Sequence, residues 1–136
     1  MANEFAHNVQ DADLTKSAAL PAAAGSVALT ALDLGAGDAF LADCELEITT
    51  EACDDTAAPD DGTMKINVED SADNTTFATL AAELASLTAA ASAGFAAQTL
   101  RFRIPSNAGR YIRAKAITAA SVSDCSGSDL AMKLLT

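Results

Sequence analysis

Three kinds of side chain in this 136-residue sequence could do chemistry: a single histidine, three cysteines and nineteen acids. His7 stands in a polar stretch with no Cys, Ser or second His beside it, so it lacks the partner that general-base or nucleophilic work requires. No serine occupies a Gly-x-Ser-x-Gly elbow, and a cysteine nucleophile would have only the distant His7 as its base. Cys44, Cys53 and Cys125 are odd in number and lack metal-ligand spacing. That pattern fits reduced thiols in a reducing compartment better than a disulfide framework. A Cys53–Cys125 bridge is the alternative, because both cysteines sit in loop-like sequence.

The acids suggest calcium first. Asp70-Ser71-Ala72-Asp73-Asn74, or Asp54-Asp55 with Asp60-Asp61, would offer hard oxygen ligands. The ligand alternation, central glycine and distal glutamate of an EF-hand are absent, and Asp, Ser and Asn are also ordinary tight-turn residues. The acids therefore read as turn formers, with no metal and no cofactor expected, and calcium in the acidic loops is left open. A carboxylate pair for glycoside hydrolysis would be an arbitrary choice without an aromatic-lined sugar cleft. The chain reads as a non-enzyme.

The cations are more suggestive. Five of the eight bases fall between Arg101 and Lys115, while twelve of the nineteen acids fall between Asp38 and Asp73. Arg101, Arg103, Arg110 and Arg113 form the candidate subunit interface, since arginine is favoured at protein contacts. The competing reading sets outward Arg101 and Arg103 across from outward Glu45 and Glu47 on an adjacent strand. The net charge of −11 argues against nucleic acid as a partner, because phosphate affinity comes from Lys and Arg. No run approaches the roughly 20 apolar residues of a membrane span, and the polar start lacks a signal peptide's regions, so synthesis in the cytoplasm is expected.

Strands and turns must position these groups. Residues 1–13 carry three acids and no apolar period, and read as an N-terminal arm; 14–136 read as a single domain. Val27, Leu29 and Ala31 alternate after Leu20-Pro21 and Gly25. Phe40, Ala42, Cys44, Leu46 and Ile48 then share one face, with Asp43, Glu45, Glu47 and Thr49 on the other. After the Pro59-Asp60-Asp61-Gly62 turn, Met64, Ile66 and Val68 face inward and Lys65, Asn67 and Glu69 outward. Leu80, Leu84 and Leu87 lie at helical spacing among alanines, so residues 80–90 form either a short helix or an extended edge. Leu100, Phe102 and Ile104 alternate with arginines until Pro105 stops the ladder. The Asn107-Ala108-Gly109 turn then leads into Tyr111–Ile117, which reads as a hairpin, and Leu130, Met132 and Leu134 close the chain. About a quarter of the residues are alanine and Trp is absent, so Phe40, Phe77, Phe95, Phe102 and Tyr111, with Leu, Ile and Val, carry the burial. Roughly six to eight strands between turns indicate an all-β antiparallel sandwich or barrel.

The run Val68-Glu69-Asp70-Ser71-Ala72-Asp73-Asn74-Thr75-Thr76-Phe77, followed by Phe102-Arg103-Ile104-Pro105 and Arg110-Tyr111-Ile112-Arg113, resembles small virion proteins of tailed bacteriophages. In particular it is similar to capsid cement or decoration proteins of the jelly-roll type, from about Ala18 to the end of the chain. The alanine-rich stretch Ala81–Ala97 departs from the shorter, glycine-richer connection expected there. The resemblance implies a jelly-roll β-sandwich that binds the outside of a capsid and stabilises contacts between major capsid subunits. It implies a homo-oligomer, dimer or trimer, located on the virion and needing no membrane or nucleic-acid partner. The alternative is a carbohydrate- or receptor-binding β-sandwich module of a tail or fibre, against which the shortage of aromatic platforms counts.

Overall fold

The computed structural model describes residues 14–22, 24–35, 44–53, 62–89, 94–119 and 125–135. The N-terminal arm, Phe40 with Ala42, and the Asp54–Asp55 and Asp60–Asp61 loop lie outside them. Nine strands are described: β1 (Thr15–Ala19), β2 (Gly25–Ala28), β3 (Leu32–Asp33), β4 (Glu45–Thr50), β5 (Thr63–Ser71), β6 (Ala78–Thr88), β7 (Gln98–Arg103), β8 (Tyr111–Thr118) and β9 (Asp129–Leu135). They form two antiparallel sheets, β1-β9-β4-β7 and β2-β8-β5-β6, with the short β3 also pairing β8. First and last strands lie side by side, and successive stretches of chain cross between the sheets. This interleaved order is that of a jelly roll.

Period-two patterning builds the core. Leu46 and Ile48 of β4, Met64, Ile66 and Val68 of β5, Ile112, Ala114 and Ala116 of β8, and Leu130 and Met132 of β9 are almost fully buried, while their sequence neighbours face outward. The small alanines of β8 let the two inner faces approach closely, and the Met132 sulfur reaches the Ala114 amide at 3.3 Å. Among the described residues Phe95 is the largest fully buried side chain, whereas Phe77, Phe102 and Tyr111 are only half-buried. The core thus depends on aliphatic rows more than on aromatics.

Residues 78–88 form a strand and not a helix. Between Ile66 and Val68, β5 advances two residues while its partner β6 advances four, from Ala85 to Ala81; the next step, to Glu69 and Thr79, is one residue against two. These bulges put extra residues into β6, and Glu83 takes a positive φ of 51° there, its amide donating to Asn67 Oδ1 at 2.8 Å. The bulges stretch the inward period, so Leu80, Leu84 and Leu87 pack on the core from positions spaced like a helix. The need of β5 for an edge partner overrides the helix propensity of alanine.

The hairpin expected between Phe102 and Ile117 does not form. β7 pairs with β4 in one sheet, and β8 pairs with β2, β3 and β5 in the other. Residues 104–110 carry the chain across the sandwich between them. Pro105 ends the β7 ladder, and the turn that follows is fastened to β5 and not back to β7.

Cys53 and Cys125 are joined as a disulfide, with a Cα–Cα separation of 5.5 Å, which corrects the expectation of reduced thiols. Cys53 exchanges two backbone hydrogen bonds with Phe95, and the Cys125 amide donates to the Pro21 carbonyl. Ser128 Oγ donates to the Ala52 carbonyl, and the Asp129 amide donates to Glu51 Oε2. The bridge therefore fastens the chain leaving β4, the residues before β7 and the loop before β9. Sequence spacing gave little sign of it, because the two cysteines are 72 residues apart.

Candidate functional site

The two segments that stand out in the sequence meet at one end of the second sheet. Ser71 pairs with Tyr111 and Asp70 with Ile112 at the end of the β5–β8 ladder. Beyond it, residues 72–77 turn the chain into β6. One carboxylate organises this turn: Asp73 Oδ1 accepts from the amides of Thr75 and Thr76, both at 2.9 Å, and from the Ser71 hydroxyl at 2.9 Å. These donors favour the charged form, the Thr76 amide most, and hold the Asp73 pKa below its ordinary 3.8. Asn74 supplies the positive φ of 59° that the turn requires.

The crossing segment docks against this turn. The Gly109 amide donates to Asp70 Oδ2 at 2.7 Å. A Cβ on Gly109 would lie 2.7 Å from the Ser71 carbonyl oxygen, so only glycine fits there without moving backbone. Asp70 and Asp73, two of the acids read as turn formers, are thus hydrogen-bonded by their own chain. Among the described residues no group of three or more His, Cys, Asp or Glu is placed to hold a metal.

The four arginines divide between the two sheets. Arg101 and Arg103 project from the outer face of β7; Arg110 precedes β8 and Arg113 lies within it. On β7 the register sets Glu47 opposite Arg101 and Glu45 opposite Arg103. Arg101 lies 3.0 Å from Glu47 and 3.6 Å from Glu45, and Lys133 of β9 reaches the other Glu47 oxygen at 3.1 Å. A ladder of alternating charge thus crosses β9, β4 and β7.

Arg110 grips Asp33 with two hydrogen bonds, at 2.7 and 2.9 Å, and its guanidinium lies 5.3 Å from the Tyr111 ring centroid. That grip, aided by the Gly35 amide, lowers the Asp33 pKa below 3.8 and anchors β3 to β8. Arg113 bonds the buried Glu69 at 2.7 Å and stacks on Phe77 at 3.7 Å. Phe77, which the sequence suggests as a core anchor, is instead half-buried beneath Arg113 on the outer face, while Ile112 is fully buried. Lys115 completes the group at 3.4 Å from Glu69. Alternation places Glu69 outward, as its pairing with outward Arg113 shows, but gives no sign of its burial, which comes on the outer face where Arg113 and Lys115 close over it.

A small pocket of about 160 Å³ opens on the outer face of the first sheet, lined by Thr15, Glu47, Thr49, Ala131, Met132 and Lys133. No aromatic ring lines it, and it is smaller than the few hundred Å³ typical of ligand pockets.

No family model matches the chain, and no curated protein does. Among solved structures it is similar to the PBSX exported protein XepA, at 20% identity and a TM-score of 0.53. The match covers 96% of this chain and 38% of that one, so this chain spans well under half the length of XepA. The xylan-binding module CBM15 aligns over 93% of this chain and 94% of its own, at 10% identity and a TM-score of 0.42. A xylan-binding CBM22-1 domain from Paenibacillus barcinonensis Xyn10C covers 68% of this chain and 53% of its own, at 10% identity and a TM-score of 0.39. At 20% identity the likeness to XepA is one of fold.

Proposed function

We propose that this chain is a structural protein of a tailed-bacteriophage particle and not an enzyme. In this reading it is a cement or decoration protein that sits on the outside of the capsid as a homo-oligomer and stabilises contacts between major capsid subunits. One observation carries the reading: the groups that promise a site in the sequence are spent on the scaffold. Asp70 and Asp73 fix turns, and Arg110 and Arg113 pin strands to one another. What the fold offers a partner is rigid faces and edges.

Two further points support it. A phage-derived exported protein shares the fold along nearly the whole chain. A disulfide also suits a protein that works after release from the reducing cytoplasm. The alternative, a sugar-binding module of a tail or fibre, suits the fold as well, but the pocket on the first sheet has no aromatic platform.

The test uses purified capsids of the encoding phage, imaged with and without the protein and then heated. Bound density on the outer surface and a raised disruption temperature are expected. Absence of binding, or binding without any gain in capsid stability, overturns the cement role, and selective retention on a glycan array would favour the alternative.

A further inference from the structure

Four strands end the strand orders of the two sheets, β1 and β7 in the first and β2 and β6 in the second, with the two-residue β3 sharing the edge of β2 along β8. Open edges invite another strand, and three of these are poor templates. β2 has four residues, β6 is interrupted by bulges at Glu83, and β1 sets the charged Lys16 on its inward side, opposite the buried Met132. β7 differs. Its six residues pair with β4 without a register shift, and among the described residues no strand pairs with its second edge.

The flanks of β7 are not neutral. On its inner side Leu100 and Phe102 are half-buried, and β6, which touches β7 across the open side of the sandwich, adds the half-buried Leu80, Leu84 and Leu87. An apolar seam therefore runs beside the edge. On its outer side are Arg101 and Arg103, and the Arg101 side chain keeps 59% of its surface exposed even while paired with Glu45 and Glu47. The paired edge already displays what this strand accepts. β4 sets Glu45 and Glu47 against the arginines, and Leu46 and Ile48 against Phe102 and Leu100.

We propose that the edge of β7 away from β4 binds an extended strand of a partner protein in which acidic and apolar residues alternate, as they do in β4. The added strand extends the first sheet to five, places its acids beside Arg101 and Arg103, and covers the Leu100–Phe102 seam with its apolar side chains. Main-chain bonds supply affinity and the alternation supplies selectivity. The proposal rests on the capsid reading only for the identity of the partner; the edge and its chemistry stand apart from it.

The probe is a capped peptide of sequence Glu-Leu-Glu-Ile-Thr-Thr, copied from Glu45–Thr50, with Lys-Leu-Lys-Ile-Thr-Thr as its control, followed by amide exchange in the intact chain. With the acidic peptide, amides within residues 99–103 should exchange about tenfold more slowly, and the basic peptide should have no effect. The R101E/R103E variant should lose the response to the acidic peptide and gain one to the basic peptide. If that variant does not fold, R101Q/R103Q should respond to neither. Protection at β1, β2 or β6 in place of β7, equal response to both peptides, or no protection at saturating peptide overturns the proposal. Capsid binding separates the two readings. Wild-type chain that responds to peptide but ignores capsids sinks the capsid role alone, whereas arginine variants that bind capsids as tightly as wild type sink β7 as the contact.

Discussion

Removing the Cys53–Cys125 bridge, in the double variant C53A/C125A or by refolding the wild type under reductant, should lower stability by an amount set chiefly by the loop it closes. The bridged residues are 72 apart. Releasing a loop of that length returns about 15 cal/mol/K of entropy to the unfolded chain, or about 4 kcal/mol at room temperature. Unfolding a chain of 136 residues carries an entropy of about 0.3 kcal/mol/K near its midpoint, so the loss should appear as a fall in Tm of about 15 °C. Because both sulfurs are buried, reductant must be applied to the unfolded chain before refolding. The assay is a circular-dichroism melt of oxidised, reduced and double-variant protein, with thiols counted in denaturant. The oxidised chain should show one titratable thiol, that of Cys44, and the reduced chain three. Three thiols without reductant, or a fall in Tm below about 3 °C in protein shown to be reduced, would refute the reasoning.

Other perturbations probe the rest of the scaffold. Gly109→Ala drives a Cβ to within 2.7 Å of a backbone oxygen and should cost about 1–3 kcal/mol in chemical denaturation, whereas Gly127→Ala, with open space around it, should cost well under half as much. Thr50 Oγ1 is buried without a hydrogen-bond partner, so Thr50→Val should raise stability by about 1 kcal/mol in the same assay. Asp33 and Asp73 have folded pKa values below 3.8, so their contribution is complete above that pH and fades as pH falls through the lowered values. Melts in this acid range should therefore steepen their decline below about pH 4, and the D33N and D73N variants should each flatten part of it.

Where one face is buried and the other wet, the sequence announces its strands. Leu46 with Ile48, Met64 with Ile66 and Val68, and Leu130 with Met132 alternate cleanly, and each row lies in the core. The pairing of Glu45 and Glu47 with arginines of β7 also follows from outward positions on neighbouring strands. Other features depend on contacts distant in sequence. β1, Thr-Lys-Ser-Ala-Ala, has no apolar rhythm and becomes a strand by lying along β9. Asn107-Ala108-Gly109 has the same turn chemistry whether the chain folds back on its own sheet or crosses to the other. Arg110 and Arg113 therefore looked continuous with Arg101 and Arg103 in sequence, yet they belong to a different sheet. The bulges of β6 imitate a helical period, and the burial of outward Glu69 depends on Arg113 and Lys115, which lie 44 and 46 residues further along the chain.

The contact between Gly109 and the Ser71 carbonyl also constrains inheritance. Residues 70–77 and 105–113 are separated by all of β6 and β7, yet neither fits without the other: the glycine is needed only because that turn is there, and Asp70 is satisfied only if that amide arrives. A recombination crossover anywhere between residues 78 and 104 would divide a matched pair. Chimeras with related chains should fold when both segments come from one parent and fail when they come from two. Swapping the two segments together is then the smallest exchange this end of the sandwich will accept.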